Sequence, residues 1–282
     1  MIAQVDVEPL QVLDFGCGTG FESEQLLNFI PAERIGALVC YDPSAEMLRY
    51  CRDKIAPRFS NAVFCERVSD IPCDKEYTLL LTNSLLHHLP NPLQILSEIQ
   101  PKLNQECFWC AGHEPSKKYY QNSDCINVFN KFRRSRLLGQ LLNPSEVFRY
   151  TRNRFGLFDS NSVSAKTAKE AYKKGLFATQ PPAIIIGLLV DYHVAHSVQE
   201  AESGRGFCVD EMSANLTGRW NLKWAKSYSF MGNFYEKSLP EQWQKEAAKL
   251  ERRFPNDGAN FCAVWQRCEA KVSLNTANAV RD

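Results

Sequence analysis

The segment Val12-Leu13-Asp14-Phe15-Gly16-Cys17-Gly18-Thr19-Gly20 constrains this chain more than any other. The run QVLDFG (11–16) reads as a buried strand, three glycines follow at alternate positions, and the stretch from Thr19 to Ile30 is a helix candidate stopped by Pro31. Glycines let the backbone bend sharply and let a ligand approach where a Cβ would collide. The helix that opens next presents free N–H groups. Strand, glycine turn and helix in this order point to a parallel α/β sheet.

The rest of the first third keeps that rhythm. IGALVCYD (35–42) is a second strand, PSAEMLRYCRDKI (43–55) a helix with proline near its start, and AVFCERV (62–68) a third, shorter strand. YTLLLTN (77–83) is a fourth strand, a helix is predicted from Leu93 to Leu103, and ECFWCAG (106–112) is a fifth strand. At Pro115 the alternation stops, and only helix-like stretches such as CINVFNKFRRSRLLGQLL and NPSEVFRYTRNRF follow. It returns with WNLKWAKSYSFM (220–231) as a strand, PEQWQKEAAKLERRF (240–254) as a helix and ANFCAVWQRC (259–268) as a last strand. Residues 1–114 and 207–270 are expected to form one domain, with 115–206 a helical cap inserted after the fifth strand and 271–282 a flexible tail.

Charge is unevenly spread. The net charge is +1, yet between Pro115 and Gly175 there are 13 Lys and Arg against 4 Asp and Glu, leaving 20 against 28 elsewhere. These basic residues are either solvated helix faces or a cap that attracts an anionic substrate or partner. The longest apolar run, Ala183 to Val190, falls short of the roughly 20 residues that span a bilayer. The 11 cysteines are scattered and the first residues carry no export signal, so free thiols in a reducing cytoplasm are expected.

Asp42 ends the second strand about twenty residues after the glycine turn, placed to accept hydrogen bonds from two ribose hydroxyls. The G-x-G-x-G spacing differs from the G-x-G-x-x-G of dinucleotide binders, and Asp14 stands two positions before the first glycine. A carboxylate there would repel a pyrophosphate but favour a cationic sulfonium with an amino-acid end. DFGCGTG, YDPS and TNSLLHHL together resemble the class I S-adenosylmethionine-dependent methyltransferases. The resemblance covers residues 10–112, reaches the closing strands in pattern only, and leaves the insertion untouched.

That resemblance implies a Rossmann-like, seven-stranded, doubly wound α/β sheet with the last strand antiparallel and S-adenosylmethionine as methyl donor. It surrounds the methionine moiety with Asp14, Gly16, Cys17, Gly18 and Gly20, sets Asp42 and Pro43 at the ribose, and brings Asn83 to the sulfonium side. Met47 joins as a contact or as core under the second helix. Arg67 stands where the family often has an acid for adenine. Val68 and Ser69 therefore contact adenine through backbone, or Asp70 takes over.

Methyl transfer from a sulfonium asks for in-line approach of the acceptor and, where the acceptor holds a proton, a base. Candidates are His87 and His88 after the fourth strand, with His113 and Glu114 in GHEP at the end of the fifth. The alternative for the histidine pair is a structural place under the next helix. His193 and His196 share a helical face but lack a second pair of ligands, so no metal site is expected. Cys107 and Cys110 fall on opposite faces of a strand and read as structural. Tyr119, Tyr120, Phe129, Phe132 and Trp220 line an acceptor pocket or, by default, a core.

The resulting expectation is methylation, on oxygen or nitrogen, of a small or carrier-bound anionic metabolite, with no membrane partner. RNA methylation through the basic insertion is the second reading, and a non-transferring binder of the same nucleotide, such as a cyclase, the third. Only about nine residues precede the first strand. A lid over the site must then come from the insertion, from a partner chain or from sequence upstream.

Overall fold

A computed structural model describes residues 9–74, 76–89, 91–141, 206–216, 219–232 and 234–268, with isolated positions at 169, 172, 173 and 179. Seven strands form one sheet: β1 (Leu10–Phe15), β2 (Ile35–Tyr41), β3 (Val63–Cys65), β4 (Tyr77–Asn83), β5 (Leu103–Pro115), β6 (Trp220–Tyr228) and β7 (Asn260–Arg267). Their order is β3-β2-β1-β4-β5-β7-β6. The first five run parallel, and β7 is antiparallel to both β5 and β6. This is the doubly wound sheet with an antiparallel last strand that the sequence predicts. The chain reverses its direction of winding between β1 and β4, and in open sheets of this kind the ligand crevice lies at the carboxyl ends there.

The helices among the described residues are α1 (Phe21–Phe29), α2 (Ala45–Ile55), α3 (Gln94–Ile99), α4 (Lys117–Gln121), α5 (Ser123–Leu141), α6 (Val209–Asn215) and α7 (Glu241–Arg253). Strand residues alternate between two cores because successive side chains point to opposite faces. Leu13, Val39, Leu80 and Trp109 enter one core, while Val12, Leu38, Leu79 and Phe108 enter the other. Cys107 lies in the first and Cys110 in the second, as their spacing requires. Trp109 stacks on Trp265 with centroids 4.7 Å apart and meets Trp220 edge-on at 6.1 Å, so Trp220 is core.

A third cluster contains Tyr119, Phe132, Phe230, Met231 and Leu250, with Tyr120 and Phe129 packed against it. These aromatics of α4 and α5 therefore seat the start of the predicted cap on α7 and on the segment after β6. Residues 142–168 and 180–205, with His193, His196 and the stretch NPSEVFRYTRNRF, lie outside the described residues. Phe207 donates its N–H to the Pro115 carbonyl and accepts from Lys117 N–H, both at 2.8 Å. The chain thus returns to the sheet beside the point where it left.

Several boundaries differ from expectation, and three of them have a visible cause. β3 stops at Cys65, because this edge strand pairs with β2 over three residues before a 3-10 turn at Val68–Asp70. β5 runs on to Pro115, because β7 pairs with it past a bulge between Ala111 and Glu114. β6 ends at Tyr228, where Ser229 takes a φ of 64°. Among the described residues no helix is long and apolar enough to cross a membrane.

Candidate functional site

The glycine turn sits at the carboxyl end of β1. It is closed by Gly16 N–H and Cys17 N–H, which both donate to the Tyr41 carbonyl at 2.8 and 2.9 Å, and by Gly20 N–H to the Cys17 carbonyl at 2.8 Å. Gly16, Gly18 and Gly20 have φ of 78°, 52° and 77°, a region L side chains rarely adopt. A Cβ on Gly16 would stand 2.6 Å from a Leu85 methyl, and one on Gly20 2.7 Å from Cys51 Sγ. At Gly18 it would meet nothing within 4 Å. The outer turn of the loop therefore faces open space, as a loop that receives a ligand must.

Asp42 lies across from that opening. Its Oδ2 accepts from Gly18 N–H and its Oδ1 from Ser44 N–H, each at 2.9 Å. A carboxylate offers about four lone-pair sites, so two remain for a pair of vicinal hydroxyls. Ser44 in turn caps α2 by accepting from Met47 N–H at 3.3 Å. Pro43 is exposed beside it. Met47 is 38% exposed on the first turn of α2, which corrects the core alternative: the apolar face of that helix is carried by Leu48, Cys51 and Ile55.

Asp14 does not look into the opening. Its carboxylate is buried under the loop and accepts from Ser23 Oγ of α1 at 2.6 Å. Burial pushes its pKa up to about 7, against the lowering effect of the Ser23 hydroxyl. There it anchors the strand to the helix. On the far side, Val68 packs partly against the core, while Ser69 and Asp70 are exposed and joined by a 3.0 Å hydrogen bond.

Asn83 ends β4 and leans over Gly112 of β5, where a Cβ would fall 2.6 Å from Asn83 Oδ1. Next to it, Glu114 is fully buried and gathers the turn after β4. Its Oε1 accepts from Leu85 N–H and Leu86 N–H at 2.9 Å, and its Oε2 accepts from His87 N–H at 3.3 Å and lies 2.7 Å from His87 Nδ1. Glu114 has no exposed surface and is bonded to four groups. It positions the loop. His87 is buried with it, and its ring stands 4.4 Å from that of exposed His88.

The bulge in β5 turns His113 away from Glu114. His113 takes a φ of 55°, is exposed, and its Nδ1 lies 2.8 Å from the Tyr228 hydroxyl at the end of β6. Desolvation lowers the His113 pKa, which keeps the ring neutral at physiological pH, and burial raises that of Tyr228, which keeps the phenol protonated. The four expected catalytic residues thus form two units, Glu114–His87 with His88 beside it and His113–Tyr228. Tyr228 stands 115 positions from His113, and the two come together because β5 and β6 flank β7 and run in the same direction.

Residues 13–107 match a family model described as a methyltransferase domain. Over 84 residues the chain is 31% identical to malonyl-[acyl-carrier protein] O-methyltransferase 2 of Ilyobacter polytropus, covering 30% of this chain and 31% of that protein. Over 109 residues it is 27% identical to malonyl-[acyl-carrier protein] O-methyltransferase of Bacillus cereus, covering 37% of this chain and 39% of that one. The chain therefore spans about a third of the length of the curated relatives it matches. Among solved structures, the plantazolicin methyltransferase BpumL in complex with a triazolic desmethylPZN analog and SAH is 14% identical, with a TM-score of 0.43 over 95% of this chain and 80% of that one.

Proposed function

We propose, starting from a chain that carries a class I methyltransferase domain, that the protein transfers the methyl group of S-adenosylmethionine to a small or carrier-bound acceptor. The observation that carries this reading is the pairing of Gly18 and Asp42. An open left-handed loop lies against a carboxylate with two unused acceptor sites, at the carboxyl ends of β1 and β2. A phosphate would be repelled by Asp42 there, whereas a ribose diol is gripped by it.

S-adenosylmethionine supplies an activated methyl group. What the chain supplies is position. The loop from Gly16 to Gly20 would hold the methionine end, Asp42 the ribose, the backbone at Val68 and Ser69 the adenine, and Asn83 the sulfonium side. Glu114 holds the turn after β4 in place under this site. His113, exposed and neutral beside Tyr228, is the group on this edge suited to take a proton from an acceptor O–H or N–H, or to donate a hydrogen bond to an acceptor already anionic.

The acceptor we favour is a carboxylate or another anionic group on a small or carrier-bound metabolite. The curated relatives are named for a malonyl group on an acyl carrier protein, and the segment between Pro115 and Gly175 is strongly basic. The test is calorimetric titration of the full chain with S-adenosylmethionine and S-adenosylhomocysteine, followed by labelled-methyl transfer to free and carrier-bound carboxylic acids. Saturable binding that Asp42→Ala weakens about 100-fold or more is expected. An intact chain that binds neither compound sinks the proposal, and binding without transfer to any acceptor sinks the catalytic half of it.

A further inference from the structure

The residues beneath the glycine loop form a cluster that the methyl-transfer reading leaves unused. Cys17 in the loop, Cys40 on β2 and Cys51 on α2 bring their sulfurs within 4.8 Å of one another. All three are buried, at 7%, 0% and 0% exposure, and all three are free thiols. They come from three different elements, so no single stretch of helix or strand placed them together. Ser23 Oγ lies 3.4 Å from Cys40 Sγ while donating its hydrogen to Asp14 at 2.6 Å, so a polar side chain borders the cluster on that side.

We propose that Cys17, Cys40 and Cys51 form a binding site for a thiophilic d10 metal ion, zinc(II) in first place, which staples the glycine loop to β2 and α2. Three sulfurs in mutual reach are one more than a disulfide uses, and thiolates are the donors that soft and borderline ions select. Zinc–sulfur bonds of about 2.3 Å set tetrahedral ligands about 3.8 Å apart, so the present triangle closes onto an ion by about 1 Å or less. Among the described residues no fourth Cys, His, Asp or Glu lies within the same reach of all three. The ion therefore keeps a fourth position for a small exogenous donor. Loading releases thiol protons to the buffer, up to three per ion, since only thiolates ligate.

The function of such a site would be mechanical. Cys17 lies directly before Gly18, whose N–H reaches Asp42, so an ion on the three sulfurs fixes the part of the loop that frames the opening. The full chain, reduced and stripped with a chelator, should be titrated with zinc(II) and, as a spectroscopic probe, cobalt(II). We expect one ion per chain, a sulfur-to-cobalt charge-transfer band and proton release. Loss of a neighbour that merely supports a ligand weakens metal binding roughly 10–100-fold, so Cys51→Ala should weaken zinc at least about 100-fold. Far-UV circular dichroism checks that the variant is folded. Should it not fold, Cys17→Ala in the loop decides the same question. No stoichiometric binding overturns the site, as does binding that either folded variant leaves unchanged. A disulfide between two of the three that forms in place of metal binding overturns it as well. The titration contains no methyl donor, so its outcome is separate from that of the function proposed above.

Discussion

Replacing Asp14 with Asn tests how the carboxylate under the loop is held. Asp14 is 1% exposed, and its folded pKa is about 7 against 3.8 for an exposed carboxyl. Between those two pH values the folded chain keeps a proton that the unfolded chain has lost. Folded chains then bind more protons than unfolded ones, and stability falls as pH rises. With 1.36 kcal/mol for each pKa unit, a shift of about 3 units destabilises the ionised form by about 4 kcal/mol above pH 7. At pH 5 the same linkage amounts to only about 1.5 kcal/mol. Asn matches the shape of Asp, still accepts from the Ser23 hydroxyl, and does not titrate. Urea unfolding of the chelator-treated chain should therefore show Asp14→Asn gaining on the parent by about 2–3 kcal/mol between pH 5 and pH 8. Any fixed effect of the amide is common to both pH values and cancels. Stability profiles of the two chains that run parallel across this range would refute the argument that Asp14 is desolvated and held mainly by one hydroxyl.

Asp42→Ala removes the acceptor of two hydroxyls, and hydrogen bonds to a charged group contribute about 1.5–3 kcal/mol each, so S-adenosylmethionine affinity should fall about 100-fold or more by calorimetry. Glu114→Ala leaves the buried N–H groups of Leu85, Leu86 and His87 without their acceptor and should cost about 3–5 kcal/mol in denaturant unfolding, whereas Glu114→Gln, which keeps Oε1, should lose less. Tyr228→Phe deletes the hydroxyl on His113 Nδ1; cofactor affinity should hold while kcat drops and its pH profile moves, and an unchanged profile would remove His113 from the chemistry.

The cofactor half was legible because its signals are local. Apolar runs mark β1, β2 and β4, and Asp42 directly follows β2 while Asn83 ends β4, so the strand ends and the expected cofactor residues coincide. Left-handed φ at Gly16, Gly18 and Gly20 is what the glycines themselves announce. Contacts between separate segments leave no such signal. Nothing in the sequence ties Asp14 to Ser23 nine residues on. Three of the four groups bonded to Glu114, the N–H groups of residues 85–87, are backbone and carry no residue signature. The triangle of Cys17, Cys40 and Cys51 was invisible for the same reason: it exists only when loop, strand and helix are packed.

The hydrogen bonds between Pro115, Lys117 and Phe207 have an evolutionary consequence. They hold the two gateposts of the intervening segment shoulder to shoulder, so the sheet is indifferent to how much chain passes between them. Entropy scarcely objects either, since doubling a tethered segment adds only about 0.6 kcal/mol. Lineages can therefore rewrite what lies between the gateposts while the sheet stays as it is.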